Sequence, residues 1–135
     1  MSLLQFFYLY LLTVPFFFLI DMLWLGVVAK SFYQTKLIHL LGPINWPIAI
    51  TLYLIYVVGI IIFAVAPGLD SHSLIKAAVL GALFGFFAYA TYDFTNLATL
   101  RDWPTIVVWV DILWGTILSG SVATISYLIG RYFFV

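Results

Sequence analysis

The chain has 135 residues, of which 66% are hydrophobic, 20% aromatic and only 7% charged, with five basic side chains balanced against five acidic ones. Soluble domains carry about 25% charged residues, so this composition excludes a soluble globular protein, and the zero net charge gives no footing for nucleic acid or for a polybasic grip on anionic lipid. The absence of cysteine excludes disulfides, thiolate chemistry and cysteine-ligated metals.

A span needs about 20 apolar residues, so a chain of this length accommodates four with short connections. The expected architecture is all-α: one domain over residues 1–135, a polytopic membrane protein with four transmembrane helices in an antiparallel bundle, at about 3–29, 45–66, 74–97 and 104–129. The first span, Leu3 to Ala29, starts without the basic n-region of a signal peptide and runs past its usual length, so it reads as a retained helix. Pro15 in its interior is expected to bend it. From Lys30 to Gly42, Lys30, Gln34, Lys36 and His39 alternate with Phe32, Tyr33, Leu37 and Ile38, a pattern too short to span that predicts an interfacial helix stopped by Gly42-Pro43. Asn45-Trp46-Pro47 opens the uncharged second span, with proline in a first turn and tryptophan at a headgroup boundary.

Pro67 to Ser73 reads as a turn by its breakers and small polar residues. In the third span Ala77, Gly81 and Gly85 recur every four positions, a stripe that lets helix backbones approach closely and whose plain reading is packing. Leu100-Arg-Asp-Trp103 makes a tight connection, and Pro104 begins the fourth span, expected to end near Ile129 ahead of Arg131. Four crossings put both termini on one face and the Lys30–Gly42 segment and the Arg101 turn on the other. Lys30, Lys36 and Arg101 lie on that loop face against Lys76 and Arg131 opposite, a three-to-two bias that predicts a cytoplasmic loop face and periplasmic termini.

Three carboxylates fall inside the spans. Asp21 lies nine residues before Lys30, Asp93 eight before Arg101 and Asp111 nine after Asp102, which at 1.5 Å per residue sets each about 12–14 Å from the loop-side boundary. An ionisable group at that depth is costly and turns inward, and three acids in one low-dielectric layer cannot all be ionised without a bound cation. Helical spacing puts Asp21 with Phe17, Phe18 and Trp24, Asp93 with Tyr89 and Asn96, and Asp111 with Trp114 and Gly115. The candidate site is therefore Asp21, Trp24, Tyr89, Asp93, Asn96, Asp111 and Trp114, an acidic and aromatic pocket in which Asp93 and Asp111 approach each other across the Arg101 turn. Arg101 is the candidate ion-pair partner of Asp93, with a local pair to Asp102 as the alternative. Asp-x-Leu-Trp occurs twice, at Asp21–Trp24 and Asp111–Trp114, on antiparallel helices, as an internal repeat would leave it. The plainer reading takes the acids as interhelical hydrogen-bond glue, capped by Tyr89, Tyr92, Thr95 and Asn96.

His39 and His72 lie on opposite faces, so they cannot share one haem or metal centre; no cofactor is expected and no metal is assigned. Tyr92-Asp93 matches half of the intramembrane aspartyl protease signature, but Val108-Trp109-Val110 stands where a Gly-x-Gly pattern would precede the second acid. No nucleophile elbow, His-Glu-x-x-His pair or phosphate loop is present.

Asp21-Met-Leu-Trp-Leu-Gly-Val-Val-Ala-Lys30-Ser-Phe-Tyr, Gly42-Pro-Ile-Asn-Trp-Pro47, Tyr89-Ala-Thr-Tyr-Asp-Phe-Thr-Asn-Leu-Ala-Thr-Leu-Arg-Asp-Trp-Pro104 and Val110-Asp-Ile-Leu-Trp-Gly115 together cover nearly the whole chain. They resemble a small four-span bacterial inner-membrane family known as a domain of unknown function, DUF2177. The resemblance implies four spans and a bacterial inner-membrane location, and supplies no activity.

Three readings follow, in order. The first is a small binding protein or transporter whose inward acids take a proton, a cation or a lipophilic ligand, in contact with membrane lipid and with homo-oligomerisation left open. The second is an intramembrane enzyme acting on a lipid-soluble substrate with an aspartate pair dividing acid and base roles. The third is a structural membrane subunit without chemistry. No nucleophile or cofactor motif supports catalysis, which sets the order.

Overall fold

In a computed structural model covering residues 1–135, the chain is all-helical, with no strand. Helix α1, Leu3–Leu23, starts on a reciprocal cap in which the Ser2 hydroxyl accepts from the Gln5 amide and the Gln5 side chain accepts from that of Ser2. It runs unbroken through Pro15, whose ring faces outward, and finishes in a widened π turn, Trp24–Val28. Helix α2, Lys30–Lys36, is shorter than the expected interfacial helix. Beyond it Leu37 and Leu41 turn toward the bundle while the His39 ring sits 2.9 Å from the Asp102 carbonyl, contacts that a continued helix could not make together.

Helix α3, Trp46–Ile60, is capped by Asn45 and has Pro47 in its first turn. A second π turn, Ile61–Val65, leads into α4, Ala66–Asp70, so helix continues through the residues that the sequence suggested as a turn. A strict ladder would clash with Pro67, but the amide of Ala66 bonds back to Ile61, and a ladder widened there accommodates the ring. The turn proper is confined to Ser71–Ser73. Helix α5, Leu74–Thr99, is capped by Ser73, and α6, Thr105–Phe134, runs past the expected end because Arg131 stays on the helix, donating to the Tyr127 hydroxyl one turn back.

The helices stand in a ring in which α1 packs on α6, α6 on α5, α5 on the π turn of α3, and α3 on α1. The α5–α6 seam is the tightest. A methyl group added at Gly85 would strike the Gly115 carbonyl and Ser119, and one at Gly115 would strike the Tyr89 ring, so close approach requires glycine at both. On the side of the termini, Leu9, Val57, Ile60, Ile61, Leu118 and Val122 form a core without solvent access. Within it Thr13 and Ser126 share a hydrogen bond of 2.8 Å, and Tyr56 and Ser119 one of 2.7 Å.

Candidate functional site

Toward the loop face the same helices separate around a cavity of about 560 Å³. Phe17, Asp21 and Leu25 line it from the first span, Leu52, Tyr53 and Tyr56 from α3, Ala88, Tyr89 and Tyr92 from α5, and Asp111 and Trp114 from α6. Tyr33, Leu37 and Leu41 from the connecting segment and Trp103 from the α5–α6 turn complete it. No lysine, arginine or histidine is among the lining residues.

The two Asp-x-Leu-Trp segments meet here with their partners exchanged. The Trp114 indole donates to Asp21 over 3.0 Å, while Trp24 lies flat on Trp114, ring centroids 4.4 Å apart and planes within 7°. The Trp24 indole donates over 3.2 Å to the Tyr33 hydroxyl, which donates in turn to Asp111. Each tryptophan thus serves the acid of the other segment, Trp114 directly and Trp24 through one phenol. Tyr53 stands beside Asp21. Tyr33 belongs to α2, outside the spans; burial pushes its phenol above the ordinary value, and the neighbouring Asp111 adds to the rise.

Asp93 differs from the other two acids. It is completely buried beside Asp111 and Trp103, yet neither carboxylate oxygen has a hydrogen-bond partner, and the buried indole N–H of Trp103 has none either. Of the residues singled out from sequence, Asp21, Tyr89, Asp111 and Trp114 line the cavity; Trp24 backs its wall, Asp93 lies behind Asp111, and the half-buried Asn96 is outside it. Arg101 is exposed in the turn and pairs with neither acid suggested for it, since Asp93 sits sealed below and Asp102 turns back through a left-handed backbone, φ 60°, to present its carbonyl to His39. The expected caps Tyr89, Tyr92, Thr95 and Asn96 make no hydrogen bond to an acid; Trp114 and Tyr33 do. No three histidines or carboxylates lie close enough together to hold a metal ion.

Sequence reasoning missed Tyr33, Tyr53 and Trp103. Tyr53 and Tyr56 carried a signal, being polar-tipped rings three apart on one face of an otherwise uncharged span, whereas nothing local to Tyr33 told that its short helix folds back over the cavity.

Burial is inverted relative to a soluble fold. Asp21, Asp93 and Asp111 are 3%, 0% and 8% exposed, whereas Ile75 on the outer surface is 76% exposed. With four helical spans of 25 to 30 residues long and apolar enough to cross a bilayer, this is a multi-pass membrane protein. Residues 6–128 match the family described as a predicted membrane protein, DUF2177, and the chain belongs to that family. No curated protein and no solved structure matches it.

Proposed function

We propose that the protein binds a small, positively charged or hydrogen-donating molecule in the loop-side cavity, as a membrane binding protein or the binding element of a transporter. One observation carries this reading: Asp21 and Asp111, from two different helices, line a single aromatic cavity that contains no basic residue. The volume falls within the range of small-molecule pockets, and the rings of Tyr53, Tyr89 and Trp114 offer π faces to a cation beside the two acids. A lone metal ion has less support, because no three acids or histidines come together at one point. Catalysis by an aspartate pair has less support still. Both acids would have to reach the substrate, and Asp93 does not line the cavity.

The test is equilibrium binding of tetraphenylphosphonium to protein in lipid nanodiscs, against a neutral tetraphenyl analogue of the same size. Asp21→Asn and Asp111→Asn should each weaken binding at least about tenfold, equivalent to 1.4 kcal/mol, with the neutral analogue bound no better by wild type than by the variants. Equal affinity in all three proteins overturns the reading.

We also propose a bacterial inner membrane, as the resemblance to DUF2177 implies, with the loop face cytoplasmic on the three-to-two distribution of basic residues. A reporter enzyme active only in the periplasm, fused after Val135, should be active, and an inactive fusion reverses the assignment.

A further inference from the structure

We propose that the cavity exchanges its occupant with the hydrocarbon layer of the bilayer, through a lateral gap between the loop-side halves of α3 and α5, so that the ligand is an amphiphile already dissolved in the membrane. This rests on the reading of the cavity as a ligand site and adds the phase from which the ligand comes.

The seams around the cavity are pinned, with one exception. Between α1 and α6 the Trp24–Trp114 stack and the Trp114–Asp21 hydrogen bond close the wall. Between α5 and α6 the glycine contacts leave no space. Between α1 and α3, Tyr53 meets Phe17 and Phe18 edge to face, at 5.1 and 5.2 Å. The loop face is roofed by the segment that Tyr33 and His39 tie to Asp111 and to the Asp102 carbonyl.

The α3–α5 seam is joined only on the side of the termini, where Phe84 packs on Tyr56 and Phe63 with ring centroids at 5.1 and 6.0 Å and where Gly68 lies against Ala77. The last ring contact toward the loop face is Tyr56 with Tyr89, at 6.3 Å. Past it α3 has no fully buried residue: those it has are Val57 and Ile60, and none precedes them. Leu52 and Tyr92, which line the cavity from the two helices, are 58% and 55% exposed. In a membrane-spanning bundle the medium beside such residues is lipid, so an opening there admits molecules from the acyl region. The chemistry of the occupant follows. Its body must be apolar to reside in that region, and its head must carry positive charge or donors to meet Asp21 and Asp111, which describes a lipophilic amine or other organic cation.

The natural chain has no cysteine, so introduced ones are unique. A nitroxide on Ala88→Cys, in the cavity wall, should in lipid vesicles be relaxed strongly by oxygen, which concentrates in hydrocarbon, and weakly by a water-soluble nickel chelate. Greater relaxation of the Ala88→Cys label by nickel than by oxygen makes the cavity water-filled and overturns the proposal. In a second arm, Leu52→Cys with Tyr92→Cys is bridged by a bifunctional maleimide. Bridging should slow tetraphenylphosphonium exchange at least about tenfold relative to the unbridged double variant, and an unchanged rate overturns the lateral route. If the probe binds neither wild type nor the unbridged variant, the reading of the site as a cation site fails, while the contrast between oxygen and nickel at Ala88→Cys decides the opening by itself.

Discussion

The two ends of the bundle are built from the same four spans and solve opposite problems. On the side of the termini, small residues at Ala77, Gly81 and Ala123 let helices converge, and the polar groups that fall inside, Thr13 with Ser126 and Tyr56 with Ser119, are paired. On the loop side, rings at Tyr53, Tyr89 and Trp114 hold the helices apart, a cavity opens, and Asp93 is left without a partner. Lipid supplies little hydrophobic drive between helices, so the closed end depends on close van der Waals approach. What differs at the open end is that polar pairing is left incomplete, a condition that structural cores avoid and binding sites tolerate.

The sharpest way to break this contrast is to place a valine in each half. Gly85→Val drives two methyl groups into the Gly115 carbonyl and Ser119, where backbone rather than a flexible side chain must yield. Its cost should exceed the about 1–3 kcal/mol of ordinary overpacking, seen as loss of the cooperative thermal transition in detergent. Ala88→Val, one turn away and facing the cavity, should melt within a degree or two of wild type. Equal losses would mean that the loop-side half is as tightly packed as the other.

A second substitution should have the opposite sign. Asp93 is fully buried with both oxygens unpaired, and an unsatisfied buried polar group costs about 1–3 kcal/mol. Asp93→Val, which removes both oxygens with little added bulk, should therefore raise the melting temperature by several degrees. A lower melting temperature would show that Asp93 is satisfied by a group that matters to the fold and that the loop-side half is as completed as the core.

Within the closed half, Thr13→Val keeps the volume and removes the bond to Ser126. Interhelical hydrogen bonds in membranes average about 0.6 kcal/mol and reach about 1.7, so a loss of that order is expected in a chemical unfolding series, restored in part when Ser126→Ala removes the stranded partner. Full additivity of the two changes would mean that the pair is not coupled.

Most of the frame was legible in the sequence, because hydropathy runs and the depth of Asp21, Asp93 and Asp111 are counted along one helix at a time. The stripe at Ala77, Gly81 and Gly85 likewise marked a face of close packing before its partners were known. What escaped depends on contacts between segments. Pro67 looked like a breaker because a widened turn cannot be seen from residue type, and Tyr33 looked like an ordinary interfacial ring because its partner is 78 positions away. The repeated Asp-x-Leu-Trp was visible, but the exchange of partners between its copies was not, since it arises only when α1 and α6 stand antiparallel with their tryptophans stacked.

The connecting segment touches the cavity at Tyr33. Tyr33→Phe removes the donor to Asp111 and the acceptor for Trp24, at a cost of about 0.5–1.5 kcal/mol. Its pH dependence is more informative than its size. Burial holds the Tyr33 phenol above its ordinary value, and Asp111 pushes it the same way, so folding favours the neutral form. Below the unfolded value of about 10 both states keep the proton and the contribution is whole. As pH rises further the unfolded chain releases its proton first, and the contribution falls, for one group, by at most about 1.4 kcal/mol per pH unit. Wild type should therefore lose its advantage over Tyr33→Phe between about pH 9 and pH 11, read as converging melting temperatures across that range. Parallel curves would show a phenol titrating in water, with α2 lifted off Asp111.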